Sequence, residues 1–276
     1  MVKFYTQNDS YPYSFPAVTL AYFLRYPNPY STHVQSTDTI SRSYDAETQK
    51  LTTLRLHLKQ SKLPSAVLKV IPGSMLGASK DGSTQAYILE RSTVDVKNGT
   101  METESRNLEW TGVLSVIERQ TFSRPVFPGV SVQQQGELFG TTASAAQSTN
   151  VRTEVTLHSR IGENFRKRRA LKAEQAQAEA ETDQEEEKPR FGFLRQWANG
   201  PIQRSIEVIG LRRAEKSQPK AKEGMKVVLE RMRMGGLKGV LEGMRRDRDI
   251  IAGGGFKMGR EDESGSVEVV WDGDGK

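Results

Sequence analysis

The sequence predicts an α+β fold: a single curved antiparallel β-sheet of about seven strands, with a short N-terminal helix and a long C-terminal helix. Between residues 33 and 158, stretches of β-prone residues alternate with polar turns. Such runs joined by short turns are typical of an up-and-down antiparallel sheet. Apolar residues recur at helical spacing just before this region and again after residue 200.

The N-terminal helix is predicted to end before Pro27, which cannot continue it. Phe15, Val18 and Tyr22 follow one another at spacings of three and four and form an apolar stripe. Arg25 is the next position on that stripe. Because an unpaired buried charge is costly, Arg25 either extends past the last turn into water or lies in a cavity that receives an anionic ligand.

The strands of the predicted sheet are separated by turn residues. The clearest turn contains Asn98-Gly99, the dipeptide most typical of a β-hairpin. The strands are predicted at residues 3–7, 33–44, 50–60, 87–96, 100–108, 113–122 and 151–158.

The strand at residues 50–60 alternates leucines with basic residues. Successive side chains of a strand point to opposite faces of the sheet, so the two kinds of residue occupy different faces. The pattern alone favours leucines facing the core and charges facing water. The residues are Leu54, Leu56 and Leu58 on one face, and Arg55, His57 and Lys59 on the other.

The segment from Leu63 to Gly77, LPSAVLKVIPGSMLG, is apolar without a regular period and is interrupted by proline and glycine. A loop this apolar must either fold onto a core or meet a membrane. Its large apolar side chains are Val67, Leu68, Val70, Ile71, Met75 and Leu76.

Composition divides the rest of the chain. A loose loop is predicted at residues 125–150 and a charged low-complexity insertion at residues 163–189. Both interrupt a single domain expected over residues 1–250. The Gly-rich acidic tail at residues 251–276 is expected to be disordered.

The C-terminal helical pattern begins with an isoleucine stripe that ends at Ile209 and then reaches Arg213 and Lys220. Pro219 lies inside the pattern and is expected to kink or break the helix. Two amphipathic stripes follow, the second after Gly235-Gly236. The first is expected to pack on the core, while the second fits either membrane or partner contact or passive packing. The stripes are Met225, Val228, Leu229 and Met232, and then Leu237, Val240, Leu241 and Met244.

No enzymatic chemistry and no cofactor are predicted. The three histidines lack metal-ligand spacing, and the absence of cysteine excludes thiol catalysis, disulfides and cysteine-based metal sites within these 276 residues. Neither a P-loop nor a nucleophile elbow occurs. The net charge of +6 suits an anionic partner, either a membrane or a nucleic acid.

Several of these segments resemble the PRELI-domain family (PRELI/slowmo-like mitochondrial lipid-transfer proteins), and most of all its fungal phosphatidic-acid transfer branch. The resemblance rests on four motifs in the family's order: YFLRYPNPYSTHV at 22–34, DTISR at 38–42, SKLP at 61–64 and TMETESRNLEWTGVLSVIE at 100–118. It covers residues 1–122 well and residues 200–231 loosely. Three departures weaken the second part. Ile209 stands where the family usually has Trp, Ala214 stands where it has Phe, and Pro219 interrupts the helical pattern.

The resemblance implies a protein of the mitochondrial intermembrane space that carries phosphatidic acid between membranes in support of cardiolipin synthesis. Phosphatidylserine is the close alternative. It also implies an apolar lipid cavity between the sheet and the long helix, with residues 63–77 as a mobile lid. Arg25 and Lys59 would hold the phosphate, and Arg213 and Lys220 would contact the membrane or the lipid.

The family also implies two kinds of partner. One is a small helical-hairpin protein with twin Cys-x9-Cys motifs, and the other is an anionic membrane surface on which the protein lies peripherally. The alternative function is a non-transport scaffold or nucleic-acid-binding protein that uses the basic C-terminal half. That alternative predicts binding that weakens steeply with salt and survives deletion of residues 1–122, whereas lipid transfer would depend on Arg25.

Overall fold

The computed structural model describes residues 2–62, 79, 83–111, 113–125, 148–159 and 200–252. The predicted lid segment and the insertion at residues 163–189 lie outside these ranges, as do nearly all of the predicted loop at 125–150 and of the acidic tail. The described elements are β1 (Val2–Tyr11), α1 (Phe15–Phe23), β2 (Val34–Asp45), β3 (Lys50–Lys62), β4 (Ser83–Asp95), β5 (Thr100–Asn107), β6 (Ser115–Ser123), β7 (Thr149–His158) and α2 (Gly200–Ala252).

The seven described strands form one antiparallel sheet in the order β1-β7-β6-β5-β4-β3-β2. From β2 to β7 each strand pairs with its neighbour in sequence, and β1 joins the far edge beside β7. The predicted hairpin turn lies between β4 and β5, where Gly99 has a φ of 63° that favours glycine. The prediction of an α+β fold with one up-and-down sheet and a helix at each end is confirmed.

The hydrophobic core lies between the sheet and the two helices. Val18 of α1 and Val228 and Leu229 of α2 are almost fully buried, together with Met101 of β5 and Phe122 of β6. The apolar stripe of α1 and the first stripe of α2 therefore pack as the sequence predicts. No described helix is long and apolar enough to span a bilayer.

α2 bends sharply at Gly236 and continues as a helix through Pro219. Gly236 has φ 57° and ψ −154°, and it is the residue at which two helical segments meet. The helix runs through Pro219, which is exposed, so water can reach the carbonyl that loses its N–H donor. Of the two predicted outcomes at Pro219, a kink or a break, the break was wrong, because the cost of a proline falls when its helix face is solvated.

After the bend, residues 237–252 form an arm that folds back along α2. An added Cβ at Gly239 would lie 2.9 Å from the carbonyl oxygen of Arg231, so the two helical segments approach closely there. The Nη1 of Arg231 also donates a hydrogen bond of 2.6 Å to Oδ2 of Asp247. Glycine at position 239 and this ion pair together hold the arm against the preceding helix.

The sequence leaves open whether the second apolar stripe packs on the core or contacts a membrane or partner, and the structure shows both environments. Val240 is fully buried in the core, and Met244 packs against it. Leu237 and Leu241 are 52% and 51% exposed. Val240 and Met244 therefore pack in the hydrophobic core, while Leu237 and Leu241 face the solvent.

Candidate functional site

A cavity of about 160 Å³ lies between the helix-covered face of the sheet, α1 and α2. It is smaller than the roughly 300–1,000 Å³ of pockets that bury a whole drug-sized ligand. This cavity therefore has room for a headgroup and not for two acyl chains.

The cavity is more polar than the apolar cavity that the family resemblance implies. Ile88, Val116, Phe122, Val151 and Met225 contribute apolar surface. Four basic side chains and three carboxylates also reach it, so that the lining has an excess of positive charge. The basic residues are Arg25, Lys59, Arg106 and Lys222, and the acidic residues are Asp9, Glu90 and Glu118.

The centre of the site is Glu90, whose side chain is 1% exposed. Arg55 donates to its Oε1 from Nε at 2.9 Å, and Arg25 pairs with its Oε2 through Nη2. The hydroxyl of Tyr22 donates to Oε2 at 2.8 Å, and the Nε2 of His57 lies 3.3 Å from the same oxygen. One buried carboxylate thus joins α1, the loop after it, β3 and β4.

Charge pairing decides the ionisation of this cluster. Burial would raise the pKa of Glu90, but Arg25, His57 and Arg55 hold that pKa well below its usual range. Burial also opposes the charge of Arg25, and Glu90, Tyr22 and Tyr26 keep its pKa raised. The pKa of His57 is lowered, chiefly by burial. Near neutral pH the cluster therefore holds one carboxylate, two guanidinium groups and a neutral imidazole.

Arg25 consequently has a counter-charge inside the protein. Its Nη1 donates to the carbonyl oxygen of Tyr22 at 2.7 Å, and its guanidinium carbon lies 3.7 Å from the ring centroid of Tyr22. The side chain is 13% exposed, so it does not extend into water. It still lines the cavity. Because a guanidinium has five N–H donors, Arg25 can donate to a ligand while it remains paired with Glu90.

The basic residues of β3 point inward, which corrects the orientation that the alternating pattern favours. Arg55 is 3% exposed and His57 is 1% exposed, whereas Leu54, Leu56 and Leu58 are only partly buried on the other face. Arg55 stands directly opposite Glu90 in the β3–β4 register. This cross-strand ion pair offsets the cost of burying the charged face.

Lys59 is half-buried and lines the same cavity as Arg25. Among the described residues no carboxylate lies within ion-pairing distance of its Nζ. Arg25 and Lys59 both oppose the effect of burial on Tyr26 and leave the pKa of that phenol lowered. The structure therefore brings together the two cations that the family resemblance assigns to a phosphate.

Arg213 and Lys220 lie on α2 near Lys59. All three cations act on His33, whose pKa is lowered to about 4 by burial and then by the charges of Lys59, Arg213 and Lys220. His33 and Arg213 both have exposed surface, yet neighbouring atoms desolvate the Arg213 guanidinium enough to lower its pKa. We call Lys59, Arg213, Lys220 and His33 the cationic end.

The sequence analysis missed Glu90, and it assigned no role to Arg55 or His57. The spacing of residues along β3 and β4 does not reveal that Arg55 and Glu90 are opposite each other, because the 20-residue connection between the strands leaves the register open. A clue was available in β3 itself, where three basic residues share one face. The six predicted lid residues lie outside the described ranges.

An α+β fold with a cationic internal cavity is thus the class of structure. A family model described as the PRELI-like family matches residues 16–170, and the chain belongs to that family. Among the described residues no group of three or more His, Asp or Glu side chains is placed to hold a metal ion.

The named relatives come from fungi and animals. "Protein UPS1, mitochondrial" of Saccharomyces cerevisiae is 42% identical over 122 residues, which is 44% of this chain and 64% of the yeast protein. "PRELI domain-containing protein 1, mitochondrial" of Bos taurus is 34% identical over 43% of this chain and 51% of the bovine protein. The matched part is thus less than two thirds of each relative. The predicted resemblance to the family and to its fungal branch is confirmed.

One solved structure was also aligned with the chain. "Crystal structure of Ara h 8.0201" matches 83% of this chain and 99% of its own, with a TM-score of 0.36 and 11% identity.

Proposed function

We propose that this chain is a phospholipid transfer protein that carries phosphatidic acid between mitochondrial membranes. Membership of the PRELI-like family supports a lipid-transfer role, and relatives named as mitochondrial proteins support the location. The observation that carries the proposal for the ligand is the placement of Arg25 and Lys59 in one cavity whose lining has more cations than carboxylates.

A phosphate monoester suits this arrangement for physical reasons. It carries more than one negative charge near neutral pH, and charge-assisted hydrogen bonds are the strong ones in a partly buried site. Lys59 has no carboxylate partner among the described residues, and Arg25 has donors beyond those that Glu90 and the Tyr22 carbonyl accept. The zwitterionic headgroup of phosphatidylcholine would not match the excess positive charge, whereas phosphatidylserine is the nearest competitor.

The remaining parts of the proposal concern cellular context. The chain would act in the intermembrane space, lying peripherally on anionic membranes, and would supply phosphatidic acid for cardiolipin synthesis. A small twin Cys-x9-Cys helical-hairpin protein would keep it folded and soluble. Arg213 and Lys220 at the cationic end would face the lipid surface, and residues 63–77 would act as the lid. The chain would be a carrier without a cofactor and not an enzyme.

The test is transfer of labelled lipid between donor and acceptor vesicles by the full chain co-expressed with such a partner. Phosphatidic acid, phosphatidylserine and phosphatidylcholine are compared under the same conditions. We expect fast transfer of phosphatidic acid, slower transfer of phosphatidylserine and no transfer of phosphatidylcholine. A folded complex that transfers none of them would overturn the proposal, and equal transfer of all three would overturn the assigned phosphate site.

A further inference from the structure

The bend of α2 exposes apolar side chains that the core does not use. Met234 just before the bend is 80% exposed, and Leu237 and Leu241 after it are 52% and 51% exposed. Leu237 and Leu241 are four residues apart and therefore share one face of the arm. We call these three residues the tip. A single exposed leucine is ordinary, but three large apolar side chains around one turn form a patch.

Basic residues surround the tip. Arg233 and Lys238 are 64% and 87% exposed, and each is close to one glutamate of its own helix, Glu230 or Glu242. Arg245 and Arg246 are exposed as well, and among the described residues neither has a carboxylate within ion-pairing distance. The exposed cations near the tip thus outnumber the acids that pair with them.

The bend depends on the backbone conformation of a glycine. Gly236 has φ 57° and ψ −154°, a conformation available almost exclusively to glycine. A Cβ added at Gly235 or Gly236 would meet no atom within 4 Å, so neither glycine is required for close packing. The glycine at position 236 allows the chain to reverse direction, and Met234 and Leu237 on either side of this reversal are exposed.

We propose that the tip is a docking surface for an anionic phospholipid bilayer. Apolar side chains ringed by Lys and Arg match the interface of a negatively charged membrane, where the apolar groups enter the headgroup boundary and the cations face lipid phosphates. A second copy of the chain would bring the same cations against one another. A nucleic acid would use the cations but leave the apolar side chains in water.

The tip and the cationic end lie at opposite ends of the molecule. Met234 follows Arg213 by 21 residues of helix, which is roughly 30 Å at 1.5 Å per residue. Tyr13, which follows β1, donates from its hydroxyl to Glu230, four residues before Met234. Gly210 lies instead against Leu157, at the end of the sheet where β3 carries Lys59. Given the proposed function, which this step relies on, the tip would touch a different membrane from the one that faces the cationic end.

The experiment measures binding of the full chain to phosphatidylcholine vesicles with and without phosphatidylglycerol. The tip variant is Met234→Ser with Leu237→Ser and Leu241→Ser. The matched control is Ile40→Ser with Tyr44→Ser, which removes two side chains of similar exposure, 55% and 58%, from edge strand β2. We expect the tip variant to bind anionic vesicles about tenfold more weakly than the wild type and the control variant to bind as the wild type does.

The outcomes separate this inference from the proposed function. Equal vesicle binding by the wild type and the tip variant would overturn the docking surface, even if phosphatidic acid transfer is normal. Binding to anionic vesicles that falls equally in the tip variant and in the β2 control variant would also overturn the docking surface. Lys59→Ala is expected to slow phosphatidic acid transfer and to keep vesicle binding. The transfer rate of this variant therefore tests the phosphate site separately from the tip. Clustering of anionic vesicles by the wild type but not by the tip variant would support contact with two membranes.

Discussion

At the scale of single residues, Glu90 explains how two arginines lie inside this protein. The carboxylate accepts from Arg25, Arg55 and Tyr22, so its removal would leave two guanidinium groups without a counter-charge. Breaking a buried ion pair in this way costs about 3–5 kcal/mol. We therefore expect Glu90→Gln to lower the free energy of unfolding by that amount, as measured by urea denaturation.

The control for Glu90→Gln is a glutamate that also contacts two arginines but lies nearer the surface. Glu104 pairs with Arg106 and Arg119 with its side chain 26% exposed and both arginines more than half exposed. Surface pairs contribute about 0–1 kcal/mol, so Glu104→Gln should change stability little. Equal losses in the two variants would show that burial does not distinguish the Glu90 cluster.

His33 reports on the cationic end through its titration. Its pKa is lowered from 6.5 to about 4 by burial and by Lys59, Arg213 and Lys220. The unfolded chain binds a proton near pH 6.5 and the folded chain only near pH 4, so His33 removes stability as pH falls between those values. NMR titration of the His33 ring should give the low pKa, and Lys59→Ala should raise it. A wild-type value near 6.5 would contradict the proximity of these four residues.

At the scale of elements, the positions of the strands were predictable and the orientation of β3 was not, although β1 and β4 are each longer than predicted. Turn residues such as Asn98-Gly99 mark where strands end, and each of the seven strands lies where the sequence predicts it. The direction in which β3 presents its two faces depends on Glu90, a partner on another strand. A local pattern contains no information on that pairing, so the leucine face was wrongly assigned to the core.

The family resemblance supplied what the local pattern could not. It places Lys59 towards the cavity, and the structure agrees, with Lys59 and Arg25 lining one space. It could not indicate Glu90 as the counter-charge. In α2 the sequence pattern predicted a kink or a break at Pro219, whereas the two helical segments meet at Gly236. The Gly235-Gly236 pair was the stronger signal for this bend.

The bend of α2 gives a prediction for the same element. Gly236→Ala forces a side chain into a conformation at φ 57° and ψ −154°, which costs on the order of 1–3 kcal/mol. Gly235→Ala is the matched control, since its Cβ also meets open space and φ is positive only at Gly236 of the two. Urea denaturation should show destabilisation by Gly236→Ala, while Gly235→Ala should be neutral or stabilising. The reverse order would mean that Gly236 does not set the bend.

At the scale of the whole molecule, the C-terminal arm packs into the same hydrophobic core as the sheet. The family model ends at residue 170, and the arm lies well beyond it. Val240 of the arm is nevertheless fully buried in the common core, and Arg231 ties the arm to α2 through Asp247. The arm is therefore an integral part of the fold.

The choice of variant decides whether transfer tests the phosphate site or the fold. Arg25→Glu would place a second carboxylate against Glu90, so lost transfer by that variant would also follow from unfolding. Lys59 is a better probe, because it is half-buried and has no ion pair among the described residues. Arg152→Ala is a suitable control, since this exposed β7 side chain pairs only with Glu154 among the described residues.

We expect Lys59→Ala to slow phosphatidic acid transfer about ten- to hundredfold, because a hydrogen bond to a charged group contributes about 1.5–3 kcal/mol. Arg152→Ala should transfer at the wild-type rate, and both variants should unfold at the same urea concentration as the wild type. The measurement is the initial rate of labelled lipid transfer at fixed vesicle composition. Normal transfer by a folded Lys59→Ala protein would remove Lys59 from the site. Arg25 and the Glu90 cluster would then have to account for the selection of an anionic headgroup.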